Sequence, residues 1–251
     1  MPVTGNNHIR YILSIRVTAG GFSFFVTEGF SSDMIYRDTT TCRSHAEMLF
    51  MISEKLQGEK IKSREYDSIR VIVDAESTTL PASEYDEEKN KDVYRLIYSQ
   101  TQLDDKRMCC VELPEINAVE LFPIDEQLYD AITTIYPEAA FTNTFASVME
   151  RITHFSMLRD PEEQPLYAHI NDGELFLYSI FKNKLIYANH FHLDDADNAP
   201  FFLLSVWKML ELDAHKNFCF ISGKEQLAST LMNQATPFLE NVEIIKYGLD
   251  V

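Results

Sequence analysis

One succession of elements is written twice along this chain of 251 residues, about 152 positions apart. In the first copy, Tyr11–Thr18 alternates as a strand, Ala19-Gly20-Gly21 turns, Phe22–Glu28 returns, and Met34–Thr39 reads as a third strand. The period then changes. Ser44-His45-Ala46-Glu47 has the spacing of a capping box, and Ala46, Leu49, Phe50, Ser53 and Leu56 follow at helical intervals, which predicts a helix of about 13 residues. Ile69–Asp74, rich in β-branched residues, reads as a buried strand, and a second helix is predicted over Tyr85–Ser99.

The second copy runs in the same order. Leu166–Ile170 is a strand, Asn171-Asp172-Gly173 a hairpin turn, Glu174–Phe181 a second strand, and Lys184–His192 a third after the turn at Lys182-Asn183. This alignment sets Gly21 against Gly173 and Phe50 against Phe202. The helix predicted over Asp195–Leu212 has Pro200 near its start, where a missing N–H costs little. Its apolar residues surround most of its circumference, so a cover on more than one side is expected. A strand at Asn217–Ile221, a helix at Lys224–Gln234 and a strand at Val242–Lys246 close the chain.

Between the copies, Arg107–Leu113 and Ala118–Phe122 read as strands joined by Pro114–Asn117, and two helices follow, marked by Leu128, Ala131, Ile132 and Ile135 and by Phe145 to Phe155. The charged, proline-bracketed run Arg159–Pro165 is the expected linker, dividing residues 1–160 from residues 161–251. The charge run Glu84–Lys91 is read as a solvated helix start.

Composition narrows the function classes. Lys and Arg number 22 against 39 Asp and Glu, a formal charge of −17, and such a surface repels phosphate backbones and anionic lipid. Nucleic-acid binding and membrane insertion are not expected. No signal-like apolar run opens the sequence, and no stretch approaches the ~18 apolar residues that span a bilayer, so a cytoplasmic protein is expected. Cys42, Cys109, Cys110 and Cys219 make no C-x-x-C spacing and read as small buried hydrophobes.

An antiparallel three-strand meander leading into alternating helices and strands, present twice, is the pattern of two tandem ribonuclease H-like units. That is the α/β arrangement of the actin-like ATPases. The chain also resembles a family of uncharacterised actin-like proteins found mainly in Bacteroidota, through Leu177–Phe191 and, after the long helix, Phe218–Gly223. The resemblance covers the last third well and the first half only through topology, and it implies a fold without an established activity.

Phosphoryl transfer on this fold needs two hairpins that cradle phosphates and carboxylates that hold hydrated Mg²⁺. In active actin-like proteins the first hairpin carries an Asp two residues before a Gly. The corresponding run here, Ser14–Gly21, keeps its glycines and has no acid. The second hairpin has Asp172 beside Gly173, which a plain tight turn also favours. The adenosine-side motif, a strand ending in two glycines, is reduced to Ile221-Ser222-Gly223-Lys224. Asp74, ending its strand, is the best remaining carboxylate of the first half, although such residues often cap loops.

A rival chemistry is a metal centre. His190-Phe191-His192-Leu193-Asp194-Asp195 superficially resembles the H-x-H-x-D-H run of metallo-β-lactamase-type hydrolases, but the final His is absent and only His215 lies downstream. Asp194, Asp195 and Asp197 are better explained as acids at a helix start. No catalytic or metal-ligating residue is therefore assigned. The expected site is a vestigial nucleotide cleft between the halves, lined by Thr18, Gly20, Gly21, Asp172, Gly173, Ser222 and Gly223, in a binding or scaffold module with a protein partner. ATP and magnesium are the possible cofactors and are not favoured. Two alternatives stay open. One is an active ATPase or small-molecule kinase that has recruited Asp172 or Asp74; the other is an assembly platform similar to the cytoplasmic actin-like subunits of pilus and type II secretion systems.

Overall fold

The computed structural model describes residues 11–28, 33–160, 162–171 and 173–246. Asp172 and Pro161 thus lie outside the described residues. In chain order the elements are β1 (Tyr11–Thr18), β2 (Gly21–Glu28), β3 (Met34–Thr41), α1 (His45–Gln57), α2 (Glu59–Lys62), β4 (Tyr66–Val73), β5 (Thr78–Pro81), α3 (Asn90–Ile97), β6 (Lys106–Leu113), β7 (Ala118–Asp125) and α4 (Glu126–Thr133). They continue with β8 (Ala140–Asn143), α5 (Thr144–Ser156), β9 (Leu166–Asn171), β10 (Glu174–Phe181), β11 (Lys184–His192), α6 (Ala199–Met209), β12 (Phe218–Gly223), α7 (Glu225–Ala235) and β13 (Asn241–Ile244).

Two five-stranded sheets repeat one topology, β3-β2-β1-β4-β8 and β11-β10-β9-β12-β13. In each, the meander is antiparallel and the strand after the helix returns parallel to the first, β4 beside β1 and β12 beside β9. These are the two tandem ribonuclease H-like units that the duplicated sequence predicts. A third sheet has the order β5-β7-β6. The short strands β5 and β8 escape the sequence reading because four residues are too few to establish a period.

The described chain divides into two compact units. The first runs through Thr78 and adds Asp86–Val111 and Leu121–Thr144; the second takes Thr79–Tyr85, Glu112–Glu120 and the residues from Phe145 onward. In the first, alternation points Leu13, Ile15 and Val17 of β1, with Ile69, Val71 and Val73 of β4, onto one face of the sheet. Met48, Ile52 and Leu56 of α1 and Leu128 and Ile132 of α4 cover that face. Each such buried aliphatic side chain contributes about 1.5–3 kcal/mol. Helix α1 starts where the capping box places it, with the Ser44 hydroxyl accepting from the Glu47 N–H at 3.2 Å.

In the second unit both sheet faces are covered. Leu166, Ala168, Ile170, Leu175 and Leu177 pack under Leu203, Val206 and Trp207 of α6 and Leu231 of α7. On the opposite face Phe145 of α5 meets Phe176 and Tyr178 at ring separations of 5.5 and 4.9 Å, and Phe155 meets Phe220 at 5.4 Å.

Three expectations need correction. The helix expected over Tyr85–Ser99 begins with a separate 3₁₀ turn at Glu87–Lys89, because the Asp86 side chain caps that turn through the Glu88 N–H. Cysteine burial is uneven, with Cys219 buried, Cys42 and Cys109 half-buried and Cys110 exposed. Helix α6 is covered on one side only, since Phe201 and Met209 remain exposed. Among the described residues no helix is long and apolar enough to cross a membrane.

Candidate functional site

In the first unit the β1–β2 turn is a two-residue loop, Ala19-Gly20, closed by the pairing of Thr18 with Gly21. The Thr18 hydroxyl donates to the Gly21 carbonyl at 3.3 Å. The Thr18 side chain, two residues before Gly20, is thus turned back into its own hairpin. Gly21 has φ +151°, and a Cβ there would lie 2.0 Å from the Thr40 carbonyl oxygen of β3. A Cβ on Gly20 would meet nothing within 4 Å. Gly21 is demanded by its neighbouring strand, and Gly20 is not.

Asp74 follows β4, and its N–H donates to the Val17 carbonyl at 3.0 Å. Its carboxylate is 3.8 Å from the Arg16 guanidinium and accepts a hydrogen bond from the Thr144 hydroxyl. The remaining acid of this strand end is therefore already engaged by a cation and a hydroxyl.

The second unit has its own version of the same corner. The β9–β10 loop is closed by Asn171 pairing with Glu174, and Gly173, at φ +78°, presents its carbonyl to the Leu193 N–H at 2.8 Å. On the adjoining strands His169 Nδ1 and Ser222 Oγ are 2.9 Å apart, and Asn171 Nδ2 is 3.0 Å from His169 Nε2. The Ser222 hydroxyl donates to the Ala168 carbonyl at 3.5 Å. The Asn171 amide is a donor, which makes Nε2 the acceptor and leaves Nδ1–H to donate to Ser222. With His169 donating rather than accepting, Ser222 is not being activated as a nucleophile. Gly223 has φ +114°, and a Cβ there would sit 1.9 Å from the Ile170 carbonyl oxygen. That carbonyl also accepts the Lys224 N–H at 3.0 Å.

The two registers correct the sequence alignment by one residue. Thr18 corresponds to Asn171, Gly20 to Gly173 and Gly21 to Glu174. Through the parallel pairs, Arg16 corresponds to His169, Ile72 to Ser222, Val73 to Gly223 and Asp74 to Lys224. On the following helix, the buried set Met48, Ile52 and Leu56 matches Ala199, Leu203 and Trp207, so Phe50 pairs with Phe201 rather than Phe202.

Each unit thus gathers its own share of the expected residues: Thr18, Gly20 and Gly21 in one hairpin, and Gly173 in the β9–β10 loop with Ser222 and Gly223 at the end of β12, the strand beside β9. The polar partners Arg16, Thr144, His169 and Asn171 went unassigned in the sequence. Alternation puts Asn171 on the face of His169, yet nothing in one strand announces which residue its parallel neighbour presents.

His190 and His192 do lie on one strand, as the histidine motif requires, but their surroundings differ. The His190 ring lies 5.7 Å from that of Phe145 and 6.2 Å from that of Phe176. His192 Nδ1 is 3.2 Å from Glu174 Oε1, and that hydrogen bond raises its pKa, with the Glu174 and Asp194 charges adding to the effect. The Asp195 carboxylate caps a 3₁₀ turn through the Asp197 N–H. Among the described residues no group of three or more His, Cys, Asp or Glu side chains is placed to hold a metal ion. Burial pushes the Cys109 thiol up to about 11 and the Cys219 thiol up to about 12, which keeps both protonated.

A family model described as "Protein of unknown function (DUF3822)" matches residues 3–242. Comparison with curated proteins gives no match. Among solved structures, the chain is similar to a Bacteroides thetaiotaomicron protein with an actin-like ATPase fold and unknown function, at 21% identity and a TM-score of 0.77, over 98% of this chain and 94% of that one. It is also similar to a chain of a PilM–PilN type IV pilus biogenesis complex, at 10% identity and a TM-score of 0.56, over 94% of this chain and 88% of the other. At these identities the likeness is one of fold, and that fold is actin-like.

Proposed function

The chain belongs to the DUF3822 family of proteins of unknown function, and from that membership we propose that it is an actin-like module with degenerate nucleotide motifs, working as a binding or scaffold element. The observation that carries this reading is the state of the first unit's strand ends. Thr18 stands where the phosphate hairpin would need its acid, and its hydroxyl closes its own turn. Asp74, the remaining candidate, is paired with Arg16 and Thr144. An acid so engaged is a poor ligand for hydrated Mg²⁺, because the guanidinium opposes a second cation.

The glycines support the same reading. Gly21 and Gly223 are each required by a carbonyl of a neighbouring strand, so their presence is accounted for without a nucleotide. We take residues 1–160 and 161–251 as the two copies of the duplicated sequence, and the compartment as the cytoplasm, with which four free cysteines at no C-x-x-C spacing agree. An assembly role of the pilus type is the second reading, favoured by the likeness to the PilM–PilN complex chain.

Isothermal titration with ATP and Mg²⁺ tests the proposal. No saturable binding is expected. Micromolar, Mg²⁺-dependent binding that a Gly20→Glu change abolishes would overturn it. Position 20 suits the test because its surroundings are open, whereas any side chain at Gly223 would collide with β9 whether or not a ligand binds.

A further inference from the structure

Helix α6 is apolar around most of its circumference, and one side of it is bare. Ala199, Leu203, Val206 and Trp207 are buried, while Phe201 and Met209 on the other side are 69% and 57% exposed. Phe201 is not isolated. Its ring stands edge-on to Phe202 at 5.5 Å, and Phe202 stacks on Phe191 of the edge strand β11 at 4.7 Å, so helix and strand edge present one aromatic surface. The first unit supplies the contrast. Phe50, in the matching place on α1, is equally exposed, but its exposed helix neighbours are Ala46, Glu54 and Gln57, and a single exposed Phe needs no partner. A joined aromatic patch on a helix that is otherwise apolar does.

We propose that this face of α6 is a docking surface for a cationic amphipathic helix of a partner protein. Charge selects the occupant. Exposed Asp194, Asp195 and Asp197 precede the helix and exposed Glu211 follows it, with Lys208 the one base on the bare side. The Asp194 side chain is 98% exposed. At a net charge of −17, a second copy of this chain or an anionic lipid surface would bring like charge to that frame. A helix with an apolar stripe and lysines beside it satisfies both the aromatic centre and the acidic border. The inference goes beyond the proposed function, since it holds whether or not the hairpins carry a nucleotide.

The probe is a synthetic peptide of about five helical turns, leucine along one face and lysine elsewhere. Its controls are a scrambled isomer without the stripe and a counterpart with glutamate for lysine. Fluorescence anisotropy with the full chain should give saturable binding of the first peptide only. Phe201→Ser should weaken it about tenfold, as loss of a central aromatic anchor does, while Phe50→Ser should leave it unchanged. Asp194→Asn with Asp197→Asn should weaken it at low salt and less at high salt. Both Phe positions are exposed, so unchanged circular dichroism is expected of either variant. Equal binding of the scrambled isomer, full-strength binding by Phe201→Ser, or self-association of the chain that Phe201→Ser abolishes would each overturn the proposal. ATP titration is a separate reading, so failure here leaves the decayed-site proposal to its own test.

Discussion

At the strand end after the hairpin, the first unit has Arg16 beside Asp74, a charged pair with the acid 41% exposed. At the corresponding positions the second unit has His169 and Lys224, with His169 bonded to Ser222, which is 3% exposed. One backbone design thus holds a half-exposed ion pair in one copy and a part-buried histidine–serine hydrogen bond in the other. The two copies also differ one residue earlier on the parallel strand, where Val73 stands in one and Gly223 in the other. What is shared is the fold's own hydrogen bonding, the N–H of Asp74 or Lys224 to the carbonyl of Val17 or Ile170. What differs is the chemistry hung on it.

The sharpest test of this contrast is the glycine. Gly223→Ala forces a Cβ into the Ile170 carbonyl at φ +114°, and should cost about 3 kcal/mol of stability. Gly20→Ala, with open space and no left-handed backbone to strain, should stay within about 0.5 kcal/mol of the parent. Urea denaturation measures both. Equal costs would mean that the glycines of both units serve something other than strand packing.

Smaller effects should separate the two polar corners. Ser222→Ala removes the part-buried hydrogen bond between His169 and Ser222, a loss of about 1 kcal/mol. Asp74→Ala removes a half-exposed ion pair and should cost under about 1 kcal/mol, less still in high salt. Were Asp74→Ala the more damaging, the first corner would be the structural one and its reading as a decayed ligand site would fail.

The architecture was legible in the chain because period and turn chemistry are local: the alternation of Leu13, Ile15 and Val17, the Ser44 cap and the Asn171–Gly173 turn each specify their own element. The registers were not. Both hairpins close around two residues, Thr18 on Gly21 and Asn171 on Glu174, and that shared closure sets Gly20 against Gly173 rather than Asp172; no periodicity carries that information. The site was half legible. The missing acid near Thr18 can be read directly, whereas the Arg16–Asp74 and His169–Ser222 contacts join strands far apart in sequence. The bare side of α6 was misread for the opposite reason: an apolar helix announces that it will be covered without saying by which molecule.

The weakest contrast is the one most easily followed in solution. Glu174 pairs with His192 across β10 and β11, where the first unit has Gly21 opposite Thr41, so only the second hairpin carries a group that titrates near neutrality. The hydrogen bond to Glu174 raises the His192 pKa above the ordinary 6.5. A raised histidine pKa contributes stability that is fully present below the unfolded value and is lost as pH rises through the folded one. Because the pair is solvent-exposed, the effect belongs in the titration curve rather than in the melting point. Proton chemical shifts of the His192 ring should give a midpoint above 6.5 that falls in Glu174→Gln and in high salt. A midpoint indifferent to Glu174 would remove the pair from the contrast between the two hairpins.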